Sequence, residues 1–298
     1  MRPPVHHILF AADRAYLPHM ATALASLLVN NAGLAFHFHI LHTDIDGEAL
    51  ARLTAGVPHP VTSHHLPDSA FAALPVVGHL ARSAYYRLFA ADVIDAPQAL
   101  YLDSDLIVLG DLAPLLATDL GSHAIGAVEN PGAAPHPGLR MRPDSGYFNS
   151  GVMLLGLDAW RARSLRHTVI ERIRAAPHAI RFADQCGLNA VLDGDWLRLH
   201  PRHNVISNFW QPDQSDAIAT FGAEAVAEAV RDPLIVHFTG SSKPWQLNDH
   251  HPMKQRYWQY RNQTAFRSRL ADDFSIKTLV RRLLPAPVER LFRQLRGR

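Results

Sequence analysis

The sequence predicts an α/β fold organised around a doubly wound sheet, and three observations predict it. Residues 5–66 alternate strand-like and helix-like periods in the order β-α-β-α-β. The apolar run "ALYLDSDLIVLGDL" (99–112) stops at two aspartates and then resumes. A late apolar segment, "PLIVHF" (233–238), runs into "TGSSKPW" (239–245). Ligands of such sheets collect at the C-terminal strand ends, so the polar residues that close these runs are the candidates for chemistry.

Taken in order, "VHHILFAA" (5–12) reads as a strand, and "LPHMATALASLLVNN" (17–31) repeats Leu17, Met20, Ala21, Leu24, Leu27 and Leu28 at helical spacing. "LAFHFHILHT" (34–43) sets Phe36, Phe38 and Ile40 against His37, His39 and Leu41, the period of a strand. A helix near 46–55 and a strand in "PVTSHHL" (60–66) complete the opening. "SAYYRLFAADVI" (83–94) predicts a helix that leads to the strand "ALYL" (99–102). Asp103 and Asp105 therefore stand at a strand end, on the same rim as Asp13. "FNSGVMLLGL" (148–157) is a second apolar run, followed by a helix from Asp158, its N-cap, through Ala175. A further helix is expected over 183–192 and a strand over 233–238. The loops at 129–147 and 201–214 are long and rich in Pro, Gly and Asn, as binding walls and lids often are.

At 298 residues and 48% hydrophobic, the chain can bury one large α/β core or two modest ones. A single cysteine, Cys186, excludes an intramolecular disulfide framework and Cys-rich zinc sites, and fits a reducing, cytoplasmic setting. The apolar stretch near the start is too short for a secretory signal, and nothing approaches the roughly 18 apolar residues of a spanning helix. The nineteen histidines lack the regular spacing of a metal array and read as surface or strand residues. Net charge is +2 but uneven: residues 254–298 hold twelve Lys or Arg against three acids, leaving 17 against 24 in residues 1–253. A basic C-terminal appendage on a mildly acidic body points to an anionic partner.

In "YLDSD", the alternation of an extended segment turns Asp103 and Asp105 to one side and Ser104 away. Two adjacent anions repel unless water or a cation lies between them, and two carboxylates supply the hard oxygen ligands that suit Mg²⁺ or Mn²⁺. An isolated D-x-D is also a common solvated turn. Context favours the cation, because "VHFTGSSKPW" offers His237 as an imidazole ligand, Gly240 for close backbone approach and Lys243 as a phosphate-binding cation. Imidazole in the set tilts the choice towards Mn²⁺, with Mg²⁺ the alternative.

The ordered set "ILFAADRAY", "SAYYRLFAADVI", "LYLDSDLIV", "YFNSGVMLL", "FADQCGLNAV", "RHNV" and "IVHFTGSSKPW" resembles glycosyltransferase family 8, nearest to the bacterial enzymes that add α-linked hexoses to lipopolysaccharide or lipo-oligosaccharide. The resemblance runs from about residue 5 to about residue 260. It implies a GT-A fold, a Rossmann-like mixed sheet flanked by helices, a UDP-sugar donor carrying galactose or glucose, Mn²⁺, and transfer with retention of configuration. By that resemblance Asp103, Asp105 and His237 are the metal ligands. Asp13 accepts from the nucleoside, Tyr16 stacks on the base, Arg87 approaches the donor, and Ser104 is counted with the donor-binding set. Asn149 and Gly151 shape the sugar pocket, Asp184 bonds sugar hydroxyls, Gln185 faces the anomeric carbon, and Gly240 and Lys243 hold the diphosphate. One departure stands out: the family's nucleotide loop commonly reads Asp-x-Asn-Tyr, whereas this chain has Asp13-Arg14-Ala15-Tyr16.

Retention requires a covalent intermediate or front-face attack. Gln185 is an amide and a poor nucleophile, so front-face attack is expected, with Asp184 the alternative nucleophile. Two other functions fit the motifs less well: a metal-dependent phosphohydrolase acting on a nucleotide sugar, and a non-catalytic nucleotide-sugar-binding module. The expected division is a catalytic domain over 1–260 and an amphipathic helical appendage over 261–298. Within 274–298, Ile276, Leu279, Val280, Leu283 and Leu284, and beyond two prolines Val288, Leu291, Phe292 and Leu295, recur at helical spacing among basic residues. That pattern suits an anionic membrane surface and a glycolipid acceptor rather than a nucleic acid, or else packing against the catalytic domain.

Overall fold

The opening forms as its periodicity predicts, with β1 (Val5–Ala11), α1 (Leu17–Asn30), β2 (Ala35–His42), α2 (Gly47–Thr54) and β3 (Val61–His65). The structure, a computed structural model, describes residues 4–75, 82–268, 270–276 and 278–279. Asp46 caps α2 by accepting from the Ala49 amide. In place of the helix expected over 83–94 there is a 3₁₀ segment, Arg82–Phe89, that passes into one α-turn, α3 (Ala90–Val93). Tyr85, Tyr86, Arg87 and Leu88 are all buried. Four consecutive buried residues leave that turn without a solvent face to impose the 3.6-residue period, and Arg87 instead folds back to donate to the Ala84 carbonyl at 3.0 Å.

β4 (Gln98–Leu102) pairs in parallel with β1, and the chain then leaves that sheet, because β5 (Leu106–Val108) belongs to a second one. Asp103-Ser104-Asp105 is the bend between two sheets. Both flanking apolar segments are fully buried strands, which is why the run resumes after its two carboxylates.

α4 (Ala113–Leu116) and β6 (Ile125–Glu129) lead to β7 (Phe148–Gly156), which runs antiparallel to both β4 and β6 and makes the main sheet mixed. The helix expected from Asp158 to Ala175 is two helices, α5 (Leu157–Ala162) and α6 (Leu165–Ala175), broken at Ser164, whose φ is +48°. Asp158 lies in the first turn of α5, paired with Arg161 at 2.8 Å, and is not the N-cap. α7 (Ala183–Leu192) forms as expected. β8 (Leu197–Arg198), β9 (Val205–Ile206), α8 (Ser215–Phe221), α9 (Ala223–Arg231), β10 (Ile235–His237) and α10 (Lys254–Arg261) complete the described elements. The main sheet has the order β3-β2-β1-β4-β7-β6-β8, and β10 sits between β5 and β9 in the smaller one.

Strand alternation divides the core between the faces of the main sheet. Leu9, Tyr101, Met153 and Leu155 pack with Trp160, Val169, Ile173 and Leu188 of α5, α6 and α7. Ile8, Phe10, Leu100 and Leu154 pack with Met20, Leu24 and Leu27 of α1. The histidines are less scattered than their spacing in sequence suggests. Parallel pairing sets His7 beside His37, Leu9 beside His39 and Leu41 beside His64, which gathers four rings on one sheet face.

After α10 the chain stays tied to the body: Arg261 grips the Asp272 carboxylate at 2.9 and 2.7 Å, and the Asp272 amide donates to the Trp245 carbonyl at 2.9 Å. Leu270, Phe274, Ile276 and Leu279 are exposed. Val280, Leu283, Leu284 and the second half of the apolar repeat lie outside the described residues. No helix among the described residues is long and apolar enough to cross a membrane.

Candidate active site

Register brings the three expected metal ligands together. β10 pairs antiparallel with β5 so that His237 lies opposite Leu106, and the Phe238 amide donates to the Asp105 carbonyl at 2.9 Å. Across the other sheet the Asp103 amide donates to the Gly151 carbonyl of β7 at 2.7 Å. Asp103, Asp105 and His237 thus converge, with one ligand atom from each within 4.8 Å of the others.

Each carboxylate has one oxygen held by the protein and the other turned inward. Asp103 Oδ1 accepts from the Tyr101 hydroxyl at 2.6 Å and pairs with Arg87 at 2.9 Å, while Oδ2 lies 3.6 Å from His237 Nε2. Asp105 Oδ2 accepts from Lys243 Nζ at 2.6 Å, while Oδ1 lies 3.3 Å from the same imidazole nitrogen. The tautomer of His237 follows from a chain of donors that begins at the backbone. The Gly151 amide donates to Asn149 Oδ1 at 3.0 Å, so the Asn204 group that also meets this oxygen at 3.0 Å is its Nδ2. Asn204 Oδ1 then faces His237 Nδ1 at 3.1 Å and accepts its hydrogen. In its neutral form the ring therefore aims the Nε2 lone pair at the two carboxylates, and three acceptors meet with no hydrogen between them. That donor set fits a divalent cation.

Glycine at 151 is a steric requirement: a Cβ there would come within 2.1 Å of His237 Cε1 and 2.7 Å of Asp103 Oδ2.

These groups open into a cavity of about 460 Å³, within the range usual for small-molecule sites. Tyr16, Arg87, Asp103, Ser104, Asp105, Asn149, Gly151, Asp184, Gln185, His237, Gly240 and Lys243 all line it. Of the expected set only Asp13 is not in the wall; it caps the adjoining turn by accepting from the Tyr16 amide at 3.2 Å. Arg87 lines the cavity wall and also turns inward. Besides Asp103 it donates to the Ser150 carbonyl at 2.6 Å and comes within 3.3 Å of Asp184 Oδ2, so it braces carboxylates from within. Lys243 likewise spends two of its three donors on Asp105 and, at 2.6 Å, on the Phe238 carbonyl. Gln185 Oε1 accepts from the Ser150 amide at 3.0 Å, and Gly240 has φ +85°, which favours glycine.

Two buried polar atoms in the cavity wall lack hydrogen-bond partners: Asp184 Oδ2 and Ser104 Oγ. Asp184 is 2% exposed, and the chain enters its helix through Ala183 at φ +44°. Burial pushes the Asp184 carboxyl up to about 7, against the opposing pull of Arg87. Burial would raise Asp105 too, but the Lys243 ammonium leads the groups that more than offset it and hold that carboxyl below the usual range. Burial and the nearby Asp105, Asp13 and Asp103 push the Tyr16 hydroxyl up to about 12. Burial opposes the charge on Arg87, yet Asp103 and Asp184 outweigh it and strengthen its proton affinity.

Sequence reasoning missed Tyr101 and Asn204 as parts of this site. Tyr101 was legible, since a residue two before Asp103 in a strand shares its face. Asn204 is fully buried within the quoted "RHNV", but nothing local tells that it will reach both His237 and Asn149. Trp245 is taken up by packing, its ring stacked on His19 at 3.5 Å.

Comparison with known proteins places this geometry. The description "Glycosyl transferase family 8" fits residues 7–249. Glycosyltransferase GlyF of Streptococcus pneumoniae serotype 4 is 30% identical over 260 residues, which are 86% of this chain and 61% of GlyF, so the chain spans less than two thirds of that relative. Lipopolysaccharide 1,2-glucosyltransferase of Escherichia coli K12 is 24% identical over 248 residues, covering 80% of this chain and 72% of that protein. The crystal structure of galactosyltransferase LgtC with donor and acceptor sugar analogs superposes with a TM-score of 0.78 at 23% identity, over 87% of this chain and 96% of LgtC. The mixed sheet flanked by helices is therefore the GT-A fold, as the resemblance implied. With a match spanning most of its length, the chain belongs to glycosyl transferase family 8.

Proposed function

We propose that the protein is a metal-dependent retaining glycosyltransferase that moves galactose or glucose from a UDP-sugar to a glycan acceptor, lipopolysaccharide or a related surface glycan. The observation that carries this reading is the convergence of Asp103 Oδ2, Asp105 Oδ1 and His237 Nε2 on one point of a sugar-sized cavity. Those residues would hold Mn²⁺, which when bound supplies Lewis acidity to the diphosphate leaving group. Lys243 adds a positive charge beside it, and Tyr16 offers an aromatic edge for the base. Asp184 accepts from sugar hydroxyls through Oδ2, which receives no hydrogen bond within the protein, while its ion pair with Arg87 fixes its position. Gln185 is an amide whose carbonyl is already bonded, which supports front-face attack over a covalent glycosyl-enzyme. Family membership argues against the phosphohydrolase reading, and the metal-ligand set argues against a non-catalytic module.

The glucosyltransferase of E. coli and the galactosyltransferase LgtC support hexose as the cargo, and the lipopolysaccharide acceptor of the former supports a surface glycan. We place the protein in the cytoplasm, on the inner face of the membrane, where a lipid-linked acceptor is found. A catalytic domain over 1–260 and a basic appendage over 261–298 suit that placement.

Calorimetric titration with UDP, with and without Mn²⁺, tests the reading. Wild type is expected to bind UDP at least tenfold more tightly with the metal, and Asp105→Ala to lose the difference. Equal UDP affinity in both conditions would overturn the metal assignment. Proton NMR of the first-formed glycoside is expected to show the α-anomer, and a β-linked product would refute retention.

A further inference from the structure

We propose that His7, His37 and His39 form a second metal site, for a borderline divalent ion such as Zn²⁺, at the end of the main sheet remote from the cavity. His7 stands on β1 and the other two on β2, and one nitrogen from each lies within 4.8 Å of the others. The rings are already gathered: His7 and His39 stack with centroids 5.2 Å apart, and His37 and His39 at 4.3 Å. His7 is six positions from Asp13 and His39 lies opposite Leu9, four positions from it, which at the rise of a strand puts roughly 13–20 Å between this cluster and the Asp13 turn.

The arrangement has the parts of an imidazole site. His7 Nδ1 and His39 Nε2 face one another at 3.0 Å, sharing a hydrogen. Two imidazoles on a tetrahedral Zn²⁺, each about 2.0–2.1 Å from the ion, hold their nitrogens about 3.3 Å apart, so the pair need open by only about 0.3 Å. The ion takes the place of that hydrogen, which moves by exchange with solvent to the other nitrogen of its own ring, so both rings stay neutral and both facing nitrogens donate electron pairs to the metal. Beyond the three ligands, the next shell is also present. His39 Nδ1 meets His64 Nε2 of β3 at 3.0 Å, and His37 Nε2 meets the Thr62 hydroxyl at 2.8 Å. A ligand imidazole whose second nitrogen is hydrogen-bonded has its orientation fixed.

His39 is 4% exposed whereas His7 and His37 are half-buried, so one ligand is anchored and the others leave an approach from solvent. Burial, reinforced by the neighbouring histidines, pushes His39 down to about 3 and lowers His7, which favours the neutral, cation-binding form of those two rings. With three imidazole nitrogens and no carboxylate among the ligands, the site selects against Mg²⁺ and Ca²⁺. Bridging β1 and β2, with His64 reaching to β3, the ion would tie together the outer strands of the main sheet.

The test uses the untagged full chain after treatment with a chelator. Zn²⁺ titration is expected to give one more bound equivalent in wild type than in His37→Gln, with transferase activity in Mn²⁺ unchanged by the substitution. Equal stoichiometry in the two proteins would mean that the rings form only a hydrogen-bonded network, and the proposal would fail. A second measurement needs no variant: Co²⁺ added to wild type should give the intense visible bands of a four-coordinate site. Only the weak bands of six-coordinate Co²⁺ would overturn the proposal.

Discussion

Asp184 is the residue at which the demands of the site oppose those of folding. Its carboxyl is enclosed, one oxygen has no hydrogen bond, and burial raises its folded pKa to about 7 from an ordinary value of 3.8. The native state therefore binds the proton more tightly than the unfolded chain. The stability this provides is complete below the unfolded pKa and is lost as pH rises through about 7. Between pH 5 and pH 8 the loss amounts to about 2–3 kcal/mol, an order-of-magnitude figure. Asp184→Asn cannot ionise, so its melting temperature relative to wild type should rise as pH is raised from 5 to 8 in metal-free buffer. A difference between the two proteins that does not change with pH would contradict this account. Sugar transfer by the variant should fall at least tenfold, because an amide cannot replace a carboxylate acceptor beside Arg87. The residue types of this site were legible because carboxylates, imidazole and lysine that close apolar runs need a reason to be there. The bracing of Asp103 and Asp184 by Arg87 was not, since it depends on where a 3₁₀ segment places one side chain.

Strands and their register explain how the ligands meet. β4 and β5 lie in different sheets, so the two-aspartate bend sits where the sheets part, and β10 brings His237 to it from 132 positions beyond Asp105. β7 supplies the close approach: its Gly151 leaves the space that the His237 ring occupies. Gly151→Ala should force the imidazole aside, because a Cβ would meet ring and carboxylate atoms held by Asn204 and Arg87. The expected result is loss of Mn²⁺-dependent UDP binding with a stability cost of about 1–3 kcal/mol, read by calorimetry and thermal melting. An alanine variant that binds UDP as wild type does would show that the close packing is dispensable. The opening strands and helices were legible because their periods are clean and their caps local, as with Asp46 on α2. The 82–93 segment and the break at Ser164 were not, because a run of four consecutive buried residues in the first and a left-handed residue in the second override periodicity.

At the scale of the whole molecule, an acidic body carries a basic C-terminal stretch, and Leu270, Phe274, Ile276 and Leu279 present apolar surface at its start, Ile276 with 80% exposure. On an anionic leaflet each basic residue near the surface contributes about 1 kcal/mol, an attraction that salt screens. Removing residues 274–298 should release the protein from vesicles containing anionic lipid while sparing UDP-sugar hydrolysis in solution. Vesicle binding that survives the truncation would refute the membrane role. A truncated chain that no longer folds would favour packing of the stretch against the catalytic domain. The cut leaves Arg261–Asp272 and Leu247–Asp273 in place, so the tether of the preceding segment is kept.

The sequence by itself determined the α/β class, the family and the chemical types at the site, because strand and helix periods are local and because polar residues closing apolar runs are conspicuous in one dimension. Tertiary structure alone decided the tautomer of His237, the inward role of Arg87 and the gathering of His7, His37 and His39. Each of these depends on which strand lies beside which, and in what register. A parallel pairing of β1 with β2 shifted by one residue would turn one strand's side chains to the opposite face relative to the other and disperse the histidines. Periodicity fixes which face a residue takes within its own strand, whereas the partner across the sheet is set by packing of the whole core.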